Sequence, residues 1–158
     1  MVNNAAALAP AFKRGNDFLE GYIAATGVEA GAAAAVFAGP AVATNLAARG
    51  LGWYYGLFGT GSGVVLGQFD EYTNYISAAK SMGANALNAS NSTYNFFLSR
   101  GEWWTLNQSF LNASIFRGQQ FFMSSPVLGA EGNYWMELYY LSSRGIGPEQ
   151  WQMVPVPY

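Results

Sequence analysis

The chain has 158 residues, enough for one domain with a core of its own and short for two. Charged side chains make up 10% of it against a usual ~25%, and the net charge of −2 leaves seven scattered Lys and Arg with no basic stripe along which to track a phosphate backbone, so no nucleic-acid partner is expected. With no Cys and no His, disulfides, thiolate nucleophiles, most zinc sites and the commonest general base are excluded, and any catalysis falls to carboxylates, Arg, Lys, Tyr or Ser.

Composition divides the chain into residues 1–63 and residues 64–158. The first residues lack the order of basic, apolar and small-residue regions that a secretory signal needs, so general secretory export is not expected. Phe12, Phe18, Leu19, Tyr22 and Ile23, set among Lys13, Arg14, Asp17 and Glu20, predict an amphipathic helix. After Glu29, forty residues carry a single charge, Arg49. The uncharged runs on either side of it each approach the ~20 residues of a bilayer-spanning helix. Two readings follow. In one, two Ala-rich helices pack closely on a sheet as core. In the other, an Ala/Gly-rich helical hairpin turns at Arg49 in "AARGLGW" and inserts Val36, Phe37, Gly39, Ala43, Leu51, Trp53, Tyr54, Leu57 and Phe58 into a bilayer. Ala35, Gly39, Ala43 and Ala47, spaced by four, would then form an association face. Pro40 and Asn45 weaken the first segment, which makes such an insertion conditional. "GTGSG", 59–63, comes before a strand rather than after one, the wrong order for a phosphate-cradling loop, so it reads as a linker and no cofactor is expected.

From Val64 onward short apolar runs alternate with helical patterns, the signature of βα units and a parallel sheet of about four strands with flanking helices, an α/β fold. "VVLG" predicts a buried strand; a helix capped by Asp70 follows and stops at Gly83. "ALNAS", 86–90, predicts a weaker second strand. "STYNFFLS" and "EWWTLNQSFLNASIFRG" predict helix, with Gly118 as the stop. "QFFMSSP" predicts the third strand, and "NYWMELYYLSSRG" a last helix ending at Gly145. "WQMVPVP" is expected as an edge strand, because Pro155 and Pro157 cannot donate to a ladder.

The order "VVLGQFDEYTNYISAAKSMGANALN", then "WWTLNQSFLNASIFRGQQFFMSSP", then "YWMELYYLSSRGI" resembles the C-terminal domains of bacterial Rhs-type polymorphic toxins. Those domains show a Gly/Ala-rich segment, a strand ending in Gly, an "EY" helix, an "ANxxFLDRxIxRGDxI" junction and an "ELxYLxxxG" helix. The resemblance covers Val64 to Ile146. This chain departs from the pattern with Asn112 and Ala113 where the pattern has Asp and Arg, and with Gln119 where it has the Asp of "RGD". The resemblance implies an effector domain carried in an Rhs shell of the same polypeptide and neutralised by a cognate immunity protein. It would be delivered by a specialised secretion system into a target cell, where it meets the lipids of the inner membrane or acts in the cytoplasm.

The expected mechanism is insertion of the Ala/Gly zone and permeabilisation of that membrane. The alternative is a soluble α/β toxin enzyme acting on a nucleotide or NAD-like substrate, with Glu71, Arg117 and Glu137 as catalytic candidates. A third reading is a catalytically silent domain that binds only its immunity protein. In an open parallel sheet, ligands sit outside the carboxyl ends of the strands, which makes Gly67, Asn88 and Ser124 the ligand-binding candidates. The same positions also read as a helix cap and turns, and the aromatic set Trp103, Trp104, Phe110, Phe116, Phe121, Phe122, Trp135, Tyr139 and Tyr140 as core rather than a stacking platform. No metal site is expected.

Overall fold

The computed structural model describes residues 40–59, 61–68 and 75–154. Among them are five α-helices and a three-stranded, all-parallel sheet of order β1-β2-β3. The helices are α1 (Pro40–Phe58), α2 (Tyr75–Met82), α3 (Asn91–Leu98), α4 (Trp103–Phe116) and α5 (Gly132–Ser143). The strands are β1 (Gly63–Leu66), β2 (Gln120–Met123) and β3 (Gln152–Met153), with a 3-10 turn at Pro148–Gln150 before the last. The α/β class and the parallel sheet are therefore as the sequence reading has them. The predicted N-terminal amphipathic helix, the first half of the Ala/Gly zone, the Asp70 cap and the end of the last strand lie outside the described residues.

All four residues of β1 are buried, the mark of a strand covered on both faces. Val64 and Leu66, with Phe121 and Met123 of β2, face a large core built with Ala48 and Leu51 of α1, Leu106, Phe110 and Leu111 of α4, and Leu138 and Leu141 of α5. Val65 and Phe122 face the other way, against Ala78 and Ala79 of α2. The register Val64↔Phe121, Val65↔Phe122, Leu66↔Met123 keeps each set on its own side. Gly83 and Gly118 end α2 and α4 with φ of 63° and 65°, the left-handed conformation that a Cβ disfavours, so both predicted stops are real ones.

Two expectations are corrected. The segment Ala86 to Ser90 is not a strand. Only Asn85 pairs with β1, donating to the Gly63 carbonyl and accepting from Val65 N–H, both at 2.8 Å, as a single parallel bridge. Beyond it the backbone finds side-chain partners: Asn85 Oδ1 accepts from Ala86 N–H, the Tyr75 hydroxyl donates to the Leu87 carbonyl, and Ser90 caps α3 through Thr93 N–H. Asn and Ser favour such local bonds over a ladder. The second correction concerns the hairpin. No turn occurs at Arg49; α1 runs unbroken through "AARGLGW".

The reason lies in the face that α1 presents to α4, the most extensively packed pair of elements. Ala48, Gly52 and Gly56 recur at intervals of four, and a Cβ at Gly52 would overlap the Leu106 carbonyl and Ser109, one at Gly56 the Phe110 carbonyl and Ala113. A break at Arg49 would swing Gly52 and Gly56 off this contact. Packing thus outweighs the ~1 kcal/mol that Gly50 costs a helix interior. The sequence reading has the small-residue repeat of this helix one position earlier, at Ala43 and Ala47, as an association face within a membrane; the repeat that is used, Ala48, Gly52 and Gly56, has α4 as its partner. Replacing Gly52 with Val is expected to lower the urea-unfolding free energy by about 3 kcal/mol or more. Gly50 has open space where a Cβ would stand, so Gly50→Ala should raise it by about 0.5–1 kcal/mol.

Candidate functional site

The Asn85 bridge marks where the strand order of the sheet reverses. The chain leaves β1 toward one flank, where Asn85 pairs, and later returns to β2 on the opposite flank. The strand order therefore reverses at β1, and the crevice of such a fold lies outside the carboxyl ends of β1 and β2. Those ends are Leu66 to Gln68 and Met123 to Ser125.

The two ends are joined by hydroxyls. Ser124 N–H donates to the Leu66 carbonyl at 2.9 Å and the Ser124 hydroxyl to the same oxygen at 3.2 Å. Gln68 N–H donates to Ser125 Oγ at 2.9 Å, and the Tyr134 hydroxyl at the start of α5 donates to the Ser125 carbonyl at 2.8 Å. Ser124 and Ser125 are both buried. A Cβ on Gly67 would run into Ser124 Oγ, with Ser125 Oγ and Tyr75 also close, so the glycine is what lets the hydroxyls close over β1. Gly67 and Ser124, named from sequence as ligand-binding, are thus brought together. Asn88 is half-buried and follows Leu87, whose carbonyl is held by Tyr75 from α2.

Behind this edge sits the one strongly perturbed carboxyl among the described residues. Glu137, in the second turn of α5, is buried, and Asn107 Nδ2 of α4 donates to its Oε1 at 2.6 Å. Burial raises the Glu137 carboxyl to about 7; the Asn107 hydrogen bond pulls in the opposite direction and only partly offsets it. Asn107 itself is 1% exposed, and its Oδ1 has no hydrogen-bond partner. Burial, with a smaller contribution from the Glu137 charge, pushes the Tyr134 phenol up to about 12, and the same two causes raise Tyr75 further. Both phenols and Glu137 therefore share one low-dielectric neighbourhood between α2, α4 and α5, with the phenols held neutral. A carboxyl poised near neutrality can hold or release a proton at physiological pH.

Arg117 does not join Glu137. Its guanidinium donates to the carbonyls of Gly56 at 2.9 Å and Gly59 at 3.0 Å, and reaches that of Gly61 at 3.5 Å. It thereby caps the C-terminal end of α1, where carbonyls lack helical partners and a cation is favoured. Arg117 lies ten residues, about 15 Å, along α4 from Asn107, at the amino ends of the strands. It is a clamp on the 59–61 loop, which explains an arginine at this junction without chemistry. Glu71 lies outside the described residues, as do Val36, Phe37 and Gly39. Of the other residues named for insertion, Leu51 is buried, Ala43 and Tyr54 are half-buried, and Trp53, Leu57 and Phe58 are exposed. Among the described residues no cluster of three metal-binding side chains occurs.

Asn107 is the residue that sequence reasoning missed. The available signal was its phase: it shares the α4 face of Trp103, Phe110, Leu111 and Ser114, an amide among buried positions. The bland reading of the aromatics holds for Phe110 and Phe121, both buried, whereas Trp135 and Tyr139 stack on each other at the surface.

The Glu137 shift makes stability depend on pH. Its folded value of about 7 exceeds the usual ~4.3 of an unfolded Glu, so between these values the native state holds a proton that the unfolded chain has released. The contribution is full below about pH 4 and is lost as pH rises through 7, on the order of 3 kcal/mol. Urea unfolding is expected to show wild-type stability falling between pH 4.5 and 8 relative to Glu137→Gln, with the gap closing on the acid side.

Comparison with protein-family models, with curated proteins and with solved structures returns no match, so what the chain does has to be argued from this site.

Proposed function

We propose that the chain is the effector domain of an Rhs-type interbacterial toxin, and that it acts at the carboxyl end of its sheet on a nucleotide or NAD-like substrate. The observation that supports this reading is the buried Glu137 carboxyl, held near neutrality beside an Asn107 oxygen without a partner, behind the reversal point of the sheet. In this reading Glu137 acts as general acid or base, Asn107 orients it, and Ser124 with Ser125 fixes the β1 and β2 ends against which a ribose or phosphate would lie. A neutral carboxyl that can donate a proton suits departure of a leaving group from a sugar carbon, where negative charge develops on the departing atom.

The membrane-spanning mechanism has less support. The α1 face of Ala48, Gly52 and Gly56, one position on from the expected Ala43 and Ala47, is engaged with α4 and holds this helix in the domain core. No helix of the described residues is long and apolar enough to cross a membrane.

Induced expression of the full chain in a bacterium tests the proposal. Wild type should arrest growth while the cellular NAD or nucleotide pool falls. Glu137→Gln and Ser124→Val, at equal expression and with native circular dichroism, should lower the rate of that loss by roughly a hundredfold or more. Arrest with unchanged pools, or an undiminished effect of Glu137→Gln, would exclude chemistry at this site.

A further inference from the structure

Beside the face that packs on α4, α1 carries an exposed apolar stripe. Val42, Leu46, Trp53 and Leu57 fall at i, i+4, i+11 and i+15, on one side of the helix, with exposures of 44%, 55%, 37% and 37%. Phe116, 77% exposed at the end of α4, meets Trp53 edge to face at a centroid distance of 6.0 Å and widens the stripe at that end. From Val42 to Leu57 it extends about 23 Å along the helix. Exposed apolar residues are ordinary when isolated; four along one side of a single helix, widened by Phe116, are not.

Charge indicates what covers the row. Its one charged residue is Arg49, at i+7, exposed, and α1 contains no acidic residue at all. Arg49 stands at the middle of the stripe. Two copies paired over the full length of this stripe about a two-fold axis, parallel or antiparallel, would set Arg49 against the Arg49 of the other copy, a like-charge contact. An anionic surface instead accepts the guanidinium while the apolar groups on both sides of it enter the headgroup boundary. A row of Leu, Val, Trp and Phe with a central cation has the composition of a helix that lies in the plane of a bilayer interface. We infer that α1 docks the folded domain on the surface of an anionic bilayer through Val42, Leu46, Arg49, Trp53, Leu57 and Phe116. The domain lies on the membrane without spanning it, since the adjoining face of α1 remains on α4. The inference does not rest on the catalytic reading above.

Flotation of the purified full chain with vesicles tests it, one set of phosphatidylethanolamine and phosphatidylglycerol at 3:1 and the other of phosphatidylcholine alone. Wild type and Glu137→Gln should both float with the anionic vesicles, with an apparent affinity at least tenfold above that for the neutral ones. Val42→Asp with Leu46→Asp, at surface positions that leave the core intact, should lose at least tenfold. Arg49→Gln, which leaves the apolar row whole, should reduce the preference for anionic vesicles about fivefold. Wild type that stays with the soluble fraction overturns the inference, as does either variant floating like wild type. Sedimentation showing a dimer that the double Asp variant disperses would also overturn it, by assigning the stripe to a second copy.

Discussion

At Gly52 and Gly56 the backbone of α1 lies so near α4 that no side chain fits between them, and the arrangement of the rest follows from that approach. Two helices in backbone contact cannot rotate independently. Once α4 is set against α1, Leu106, Phe110 and Leu111 point at the sheet, Asn107 points at α5, and Arg117 reaches the carbonyls where α1 ends. The close approach also explains why a helix rich in Ala and Gly, poor in large apolar side chains, serves as core. Its contribution comes from dense packing of atoms rather than from bulk.

The scarcity of charge has a structural counterpart in how the polar residues are used. Ser109 and Ser114 donate to carbonyls four residues back in their own helix, so hydroxyls on its buried face are satisfied locally. The Glu137–Asn107 pair is different, because its partners come from two helices and one amide oxygen is left over. An orphaned buried acceptor costs about 1–3 kcal/mol, a cost that packing alone gives no reason to keep. The same bond ties α4 to the "ELYYL" stretch of α5, so two segments that read separately along the chain meet at one point.

Much of the architecture was legible from the chain. Helix and strand periods, the glycine stops at 83 and 118 and the unbroken apolar run of β1 are local signals, and each corresponds to an element. The "ALNAS" segment misled because a short run with two small residues and two polar ones has weak strand character, and Asn85 supplied side-chain bonds that ended the pairing after one bridge. Arg117 misled differently. Its charge invited a catalytic role, and nothing local shows that carbonyls from residues about sixty positions earlier lie within its reach.

The sequence by itself determined that the chain is an α/β domain with a parallel sheet, without thiol or imidazole chemistry, and with one long stretch nearly empty of charge. Those properties depend on composition and on patterns spanning a few turns of chain. Tertiary structure alone decided that the stretch contributes core through α1, that Gly67 and Ser124 adjoin, and that Glu137 is a carboxyl held near neutrality. A pKa depends on what surrounds a group from every side, and the fate of a small-residue face depends on which helix comes to meet it; both are set by contacts between residues tens of positions apart.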